Sequence, residues 1–123
     1  MSQSYPLGER ENDQLEFKRA DARPEAVARA VASMLNSSGG EIWIGIEENS
    51  GRATGAQVIP DLDRKRSAFR DAILSAVEPT PLSEEFDLDE RSVATLKVLR
   101  IVVKKGGRKP YAWVHGSARH FDI

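Results

Sequence analysis

The sequence predicts an α+β fold, a mixed β-sheet of about five strands with two helices on one face. Three observations predict it. Two segments carry apolar residues at helical spacing. Several shorter segments are β-branched or alternate apolar with polar residues, as strands do. The elements fall in the order β-α-β-α-β-β-β, without the strict alternation of an all-parallel sheet. The chain has 123 residues, the size of one ordinary domain. Residues 1–10 read as a flexible leader and residues 11–123 as that single domain.

Gln14 to Ala20 sets Leu15 and Phe17 against Glu16 and Lys18, a short strand with one wet face. Arg23-Pro24-Glu25 opens the first helix, because proline suits the first turn. Val27, Val31, Met34 and Leu35 form its apolar stripe, and Ser37-Ser38-Gly39-Gly40 stops it. Ile42 to Ile46 is apolar on both faces, as a central strand is, and Gly45 within it marks a bulge or a close approach. Glu47 to Gly51 reads as an acidic turn and Arg52 to Pro60 as a loop. Asp61 or Asp63 is an N-cap candidate for a second helix with Phe69, Ile73, Ala76 and Val77 inward; Pro79-Thr80-Pro81 ends it. Phe86 and Leu88 alternate with acids. Asp89 to Ser92 reads as a hairpin turn, Val93 to Val103 as a second central strand, and Lys104 to Pro110 as a basic turn. Tyr111 to Val114 and Ser117 to Ile123 complete the strands.

Net charge is −1, but it is unevenly spread. Residues 1–90 carry 10 Lys and Arg against 18 Asp and Glu, whereas residues 91–123 carry eight Lys and Arg with Asp122 as the one acid. Such asymmetry marks a working surface when it is not neutralised internally. There is no cysteine, so disulfides and thiolate metal sites are excluded. No apolar run is long enough for a membrane span, and the N-terminus lacks a signal-peptide core. A cytoplasmic address is expected.

The chemistry-bearing residues are few. The phosphate-cradling GxxxxGK[ST] loop is absent. His115 and His120 have no accompanying carboxylate or cysteine set for a metal. Lys104, Lys105, Arg108 and Lys109 lie within six residues beside Gly106 and Gly107, a phosphate-contacting pattern, with Lys18 and Arg100 as expected neighbours. Tyr111 and Trp113 follow the turn and suit stacking on unpaired bases. Glu11, Glu16 and Glu48 flank strand ends; three acids can hold one or two divalent ions, although 19 acids make many such triples. A regular strand would aim Glu11 and Glu16 at opposite faces, so a turn at Asn12-Asp13 is required. In a parallel β-α-β unit Glu16 and Glu48 would lie on the order of 15 Å apart.

The run ENDQLEFK, Glu11 to Lys18, resembles the E-x4-EFK opening of Schlafen AlbA-like domains. NSSGGEIWIGIEENSG, Asn36 to Gly51, resembles their "aNs-GG-lliGvdd-G" stretch; Gly55 and Lys109-Pro110-Tyr111 fall where the family has a "Gv" and a "kPvy" step. The resemblance runs from about residue 9 to the end. It implies that Glu11, Glu16 and Glu48 correspond to the cleavage site of the Schlafen ribonucleases, with Mg²⁺ or Mn²⁺ as cofactor and structured RNA such as tRNA as substrate. Glu47-Glu48 departs from the family's Asp pair, and the chain stops at Ile123 where the family continues, as a truncated domain with a further C-terminal domain would. Many bacterial relatives keep these acids and are described only as DNA-binding domains. Larger Schlafen proteins pair two such lobes across a positive groove, so the resemblance implies a homodimer here. The alternatives are a non-catalytic DNA-binding regulatory module and a protein-interaction or assembly domain.

Overall fold

The computed structural model describes residues 4–116 and 118–121. Its elements are β1 (Leu15–Lys18), α1 (Pro24–Asn36), β2 (Gly40–Ile44), β3 (Ile46–Asn49), β4 (Arg52–Ala56), α2 (Leu62–Ala76), β5 (Val77–Glu78), β6 (Phe86–Val93), β7 (Leu96–Val103), β8 (Ala112–His115) and β9 (Ala118–His120). The α+β class holds. The main sheet has four strands in the order β1-β2-β7-β6, with β1 parallel to β2 and the other pairs antiparallel. The remaining strands form a β3–β4 hairpin and a three-stranded β5-β8-β9 sheet.

One face of the main sheet carries Ile42, Ile44, Leu99 and Ile101, all fully buried. Helix α1 packs there with its buried stripe of Val27, Val31, Met34 and Leu35. Helix α2 lies along α1 and against β5 and β8, burying Phe69 and Ile73. The stripes were legible because helix packing needs one continuous apolar face. The opposite face carries Leu15, Phe17, Trp43, Val98 and Arg100.

The α1–β2 connection explains the Gly39-Gly40 pair. Both residues have positive φ, +80° and +153°. A Cβ on Gly39 would strike the Val103 carbonyl and the Lys104–Lys105 backbone, and one on Gly40 would strike the Gln14 backbone. Only glycine lets the chain pass between the ends of β1 and β7. Gly45, φ +99°, separates β2 from β3 and abuts the side chains of Ile59 and Val98.

Four local expectations are corrected. The Asp89–Ser92 stretch lies inside β6, and the hairpin turns instead at Ala94-Thr95, with Ala94 at φ 54°. The expected loop after Gly51 begins as β4, joined to β3 through Ser50 (φ 53°) and Gly51 (φ 84°), the two left-handed residues of a tight hairpin. Asp61 stands at the start of α2 in the left-handed region and makes no side-chain cap, pairing instead with Arg64. Residues 4–10, expected as a leader, run beside β4: Gly8 N–H donates to the Ala53 carbonyl, and Ala53 N–H to the Glu9 carbonyl. Of the segments expected as leader and last strand, residues 1–3, 117 and 122–123 lie outside the described residues.

Candidate nucleic-acid interface

The basic turn between β7 and β8 is held by a buried acid that its sequence does not advertise. Glu85 is 5% exposed. One of its carboxylate oxygens accepts the Leu82 N–H at 2.8 Å; the other accepts the Gly107 N–H at 3.0 Å and the Tyr111 hydroxyl at 2.7 Å. The Glu85 carbonyl accepts the Lys104 N–H. Burial alone would raise the Glu85 pKa, but those hydrogen bonds and the Arg108 charge outweigh it and hold the pKa below the usual value. Burial, then the Glu85 partner, push the Tyr111 hydroxyl pKa up.

The turn is pinned from its other sides as well. Gly106 N–H donates to the Leu35 carbonyl, and a Cβ at Gly106 would strike the Tyr111 ring. Arg108 N–H donates to the Tyr111 hydroxyl, and its guanidinium to the Thr80 carbonyl. The Lys109 ammonium donates to the Ser37 carbonyl at 3.3 Å. Lys104 and Lys105 are exposed, and neither has a side-chain partner among the described residues. The turn therefore presents two uncommitted ammonium groups on a backbone fixed from several sides.

The other expected contacts divide. Lys18 pairs with Glu16 at 3.0 Å. Arg100 forms a two-point pair with Asp89 at 3.2 and 3.0 Å, on the face opposite the helices. Tyr111, expected as a stacking platform, is fully buried, so no base reaches its ring; its work is to hold the turn. Trp113 is partly buried. Its ring lies under the Arg29 guanidinium at 5.6 Å and beside His115 and His120 at 5.5 and 4.9 Å.

Among the described residues no group of three or more His, Asp or Glu is arranged to hold a metal ion. The turn at Asn12 forms, with Gln14 N–H donating to the Asn12 side chain, and returns the Glu11 carboxylate to the Phe17 N–H at 3.1 Å. Glu48 accepts the Gly51 N–H at 2.6 Å, and Glu11 N–H donates to the Gly51 carbonyl, so the Glu48 carboxylate and the Glu11 backbone both bond Gly51 while the Glu11 carboxylate stays on Phe17. Glu16 stands apart. It points to the helical face, where with Lys18, Arg29, Ser33 and Trp113 it lines a cavity of about 430 Å³. The parallel β1–β2 pairing sets Glu16 opposite Ile42, whereas Glu48 lies six residues further on, beyond the Gly45 break. The three carboxylates do not fit a divalent ion as one ligand set in this arrangement.

Residues 11–120 match the family model described as Schlafen, AlbA_2. The chain belongs to this family. Among solved structures this Schlafen AlbA_2 domain is similar to the DIP2311 protein from Corynebacterium diphtheriae, with 25% sequence identity and a TM-score of 0.53. The similarity covers 89% of this chain and 22% of that one, so the domain spans about a fifth of that protein's length. No curated protein matches it. Among the described residues no helix is long and apolar enough to cross a membrane.

Proposed function

We propose that this Schlafen AlbA_2 domain binds nucleic acid by holding backbone phosphates on the Lys104–Lys109 turn. Family membership supports a nucleic-acid-binding role. The observation that carries the assignment to this turn is the pair of unpaired, exposed ammonium groups on Lys104 and Lys105, above a backbone fixed by Glu85 and Tyr111. Lysines of this kind attract phosphate without reading sequence. The target is RNA or DNA, and the address is cytoplasmic. The test is equilibrium binding of RNA and DNA strands to the protein and to its Lys104→Ala/Lys105→Ala variant. Affinity should fall for all sequences alike; undiminished affinity in the variant defeats the assignment.

A second, narrower reading is a metal-dependent endoribonuclease acting on structured RNA such as tRNA through Glu11, Glu16 and Glu48. It is supported by the resemblance of the ENDQLEFK run to the Schlafen opening. It requires an arrangement other than the one described, in which Glu16 leaves Lys18 and the three carboxylates come together. Incubation of tRNA with the protein in Mn²⁺, in Mg²⁺ and in chelator tests it: cutting that chelator and Glu48→Gln both abolish is the expected result, and intact tRNA in every condition refutes it. A homodimer would restore the two-lobed groove, and light scattering at low salt should then give about twice the 13.6 kDa chain mass.

A further inference from the structure

The sheet face opposite the helices carries a row that the basic turn does not use. Trp43 on β2 stands opposite Arg100 on β7, and Arg100 opposite Asp89 on β6. Side chains directly opposite on a sheet share a face, so the three lie side by side. Arg91, two residues along β6 from Asp89, joins them on that face. Asp89 accepts two hydrogen bonds from Arg100, and its Oδ2 also lies 3.1 Å from Arg91. One carboxylate thus serves two guanidiniums. The Arg91 Nε–H is buried and has no acceptor among the described residues.

The aromatic half of the site adjoins this pair. The Arg100 guanidinium lies 5.9 Å over the Trp43 ring, and the Tyr5 ring meets Trp43 edge-on at 5.6 Å. Trp43 is buried and serves as backing, whereas Tyr5 is 49% exposed and offers ring surface to solvent. Ser4, Tyr5, Trp43, Arg91 and Arg100 line a cavity of about 460 Å³, within the range of small-ligand sites. None of these five residues is an acid. Acids do lie near: Glu41 accepts the Trp43 indole N–H at 2.9 Å, and the Tyr5 pKa is raised by burial, then by Glu41 and Glu9. The surroundings are therefore not a general cation patch, and an anion gains only where it reaches the two guanidiniums.

We propose that this pocket binds one nucleotide unit, its phosphate on Arg91 and Arg100 and its base against Tyr5, which Trp43 backs. Planar guanidinium forks match phosphate oxygens, and aromatic faces take a base of any sequence. The phosphate meets the exposed part of the Arg91 guanidinium and relieves the sharing of Asp89. The unit is either a free mononucleotide or one residue of a bound strand. Arg100 lies four residues before Lys104, on the order of 13 Å along β7, so one strand can span both places. The pocket is nevertheless distinct from the turn, and each stands without the other.

The experiment titrates the full chain with adenosine 5′-monophosphate, adenosine, inorganic phosphate and a 12-nucleotide single-stranded RNA. A free-nucleotide site predicts that the monophosphate binds at least tenfold more tightly than adenosine or phosphate. Arg91→Ala and Tyr5→Ala should each weaken that binding about tenfold, Arg91→Lys should restore little of it, and Lys104→Ala/Lys105→Ala should leave it unchanged. A strand subsite predicts no mononucleotide binding but a fivefold or greater loss of RNA affinity in Arg91→Ala and Tyr5→Ala. Thermal melting checks that each variant is folded; if Tyr5→Ala is not, Arg91→Ala decides alone, since Arg91 lies outside the apolar core. The proposal is overturned if the monophosphate does not bind and Arg91→Ala binds RNA as the parent does. RNA binding that depends on Lys104 and Lys105 alone, with no monophosphate binding, overturns this proposal and leaves the turn standing. RNA binding that depends on Arg91 and Tyr5 alone does the reverse.

Discussion

Replacing Tyr111 by Phe removes one hydroxyl and leaves the buried ring in place. That hydroxyl donates to Glu85 at 2.7 Å and accepts the Arg108 N–H at 3.1 Å. A hydrogen bond to a charged group contributes roughly 1.5–3 kcal/mol. Glu85 is 5% exposed, so water replaces the lost donor poorly, but the Leu82 and Gly107 N–H groups stay. The lost Arg108 contact counts for little, because Arg108 is exposed. A net loss of about 2 kcal/mol follows, a fall in Tm of roughly 6–10 °C for a domain of this size. The pH dependence has a definite sign. The Glu85 pKa is lowered on folding, so its hydrogen bonds stabilise the fold above the unfolded carboxyl pKa of about 4.3 and cease to do so as pH falls through the folded value. The difference between parent and variant should be full at pH 7 and shrink under acid. Thermal unfolding followed by circular dichroism from pH 7 down to pH 3 measures both. A variant within about 1 °C of the parent at pH 7, or a difference that grows under acid, would refute the assignment of Glu85 as the anchor of the turn.

Two other changes probe the same framework. Gly106→Ala drives a methyl into the Tyr111 ring and the Leu35 carbonyl, and should lower urea-unfolding stability by about 1–3 kcal/mol, whereas Gly107→Ala, which meets nothing within 4 Å, should change it by well under 1 kcal/mol. Ile73→Ala leaves a cavity where α2 meets the core and should lower stability by about 2–5 kcal/mol by the same measurement.

The sequence made the helices legible because their burial is periodic: Val27, Val31, Met34 and Leu35 are all buried where the spacing put them. Gly45 was readable as a bulge or a close approach, although not what it approaches, whereas Gly39-Gly40 read only as a helix stop and the backbone they pass was not legible. The β6–β7 turn was not readable. Ala94 takes a left-handed conformation that normally advertises itself as Gly or Asn, while the charges at Asp89, Glu90 and Arg91 imitate a turn and are instead paired on the sheet. The β3–β4 hairpin had its signal in Ser50-Gly51, obscured by the small and polar residues of β4. In the site, the cationic turn stood out from composition, but Glu85 did not. Glu85, the one buried acid among the described residues, is distinguished only by what surrounds it in space, and without it the role of Tyr111 was mistaken for base stacking. Lys18 and Arg100 looked available because a sequence does not show that Glu16 and Asp89 face them.

Phosphate contact by Lys104 and Lys105 has a signature in the salt dependence of binding. The affinity for a single-stranded RNA should be measured from 50 to 300 mM salt for the parent and for Lys104→Ala/Lys105→Ala. The variant should bind more weakly at every salt, with a slope of log affinity against log salt that is shallower by about 0.7 per lost contact, up to about 1.4 for both. The same affinity and the same slope in the two proteins would contradict it.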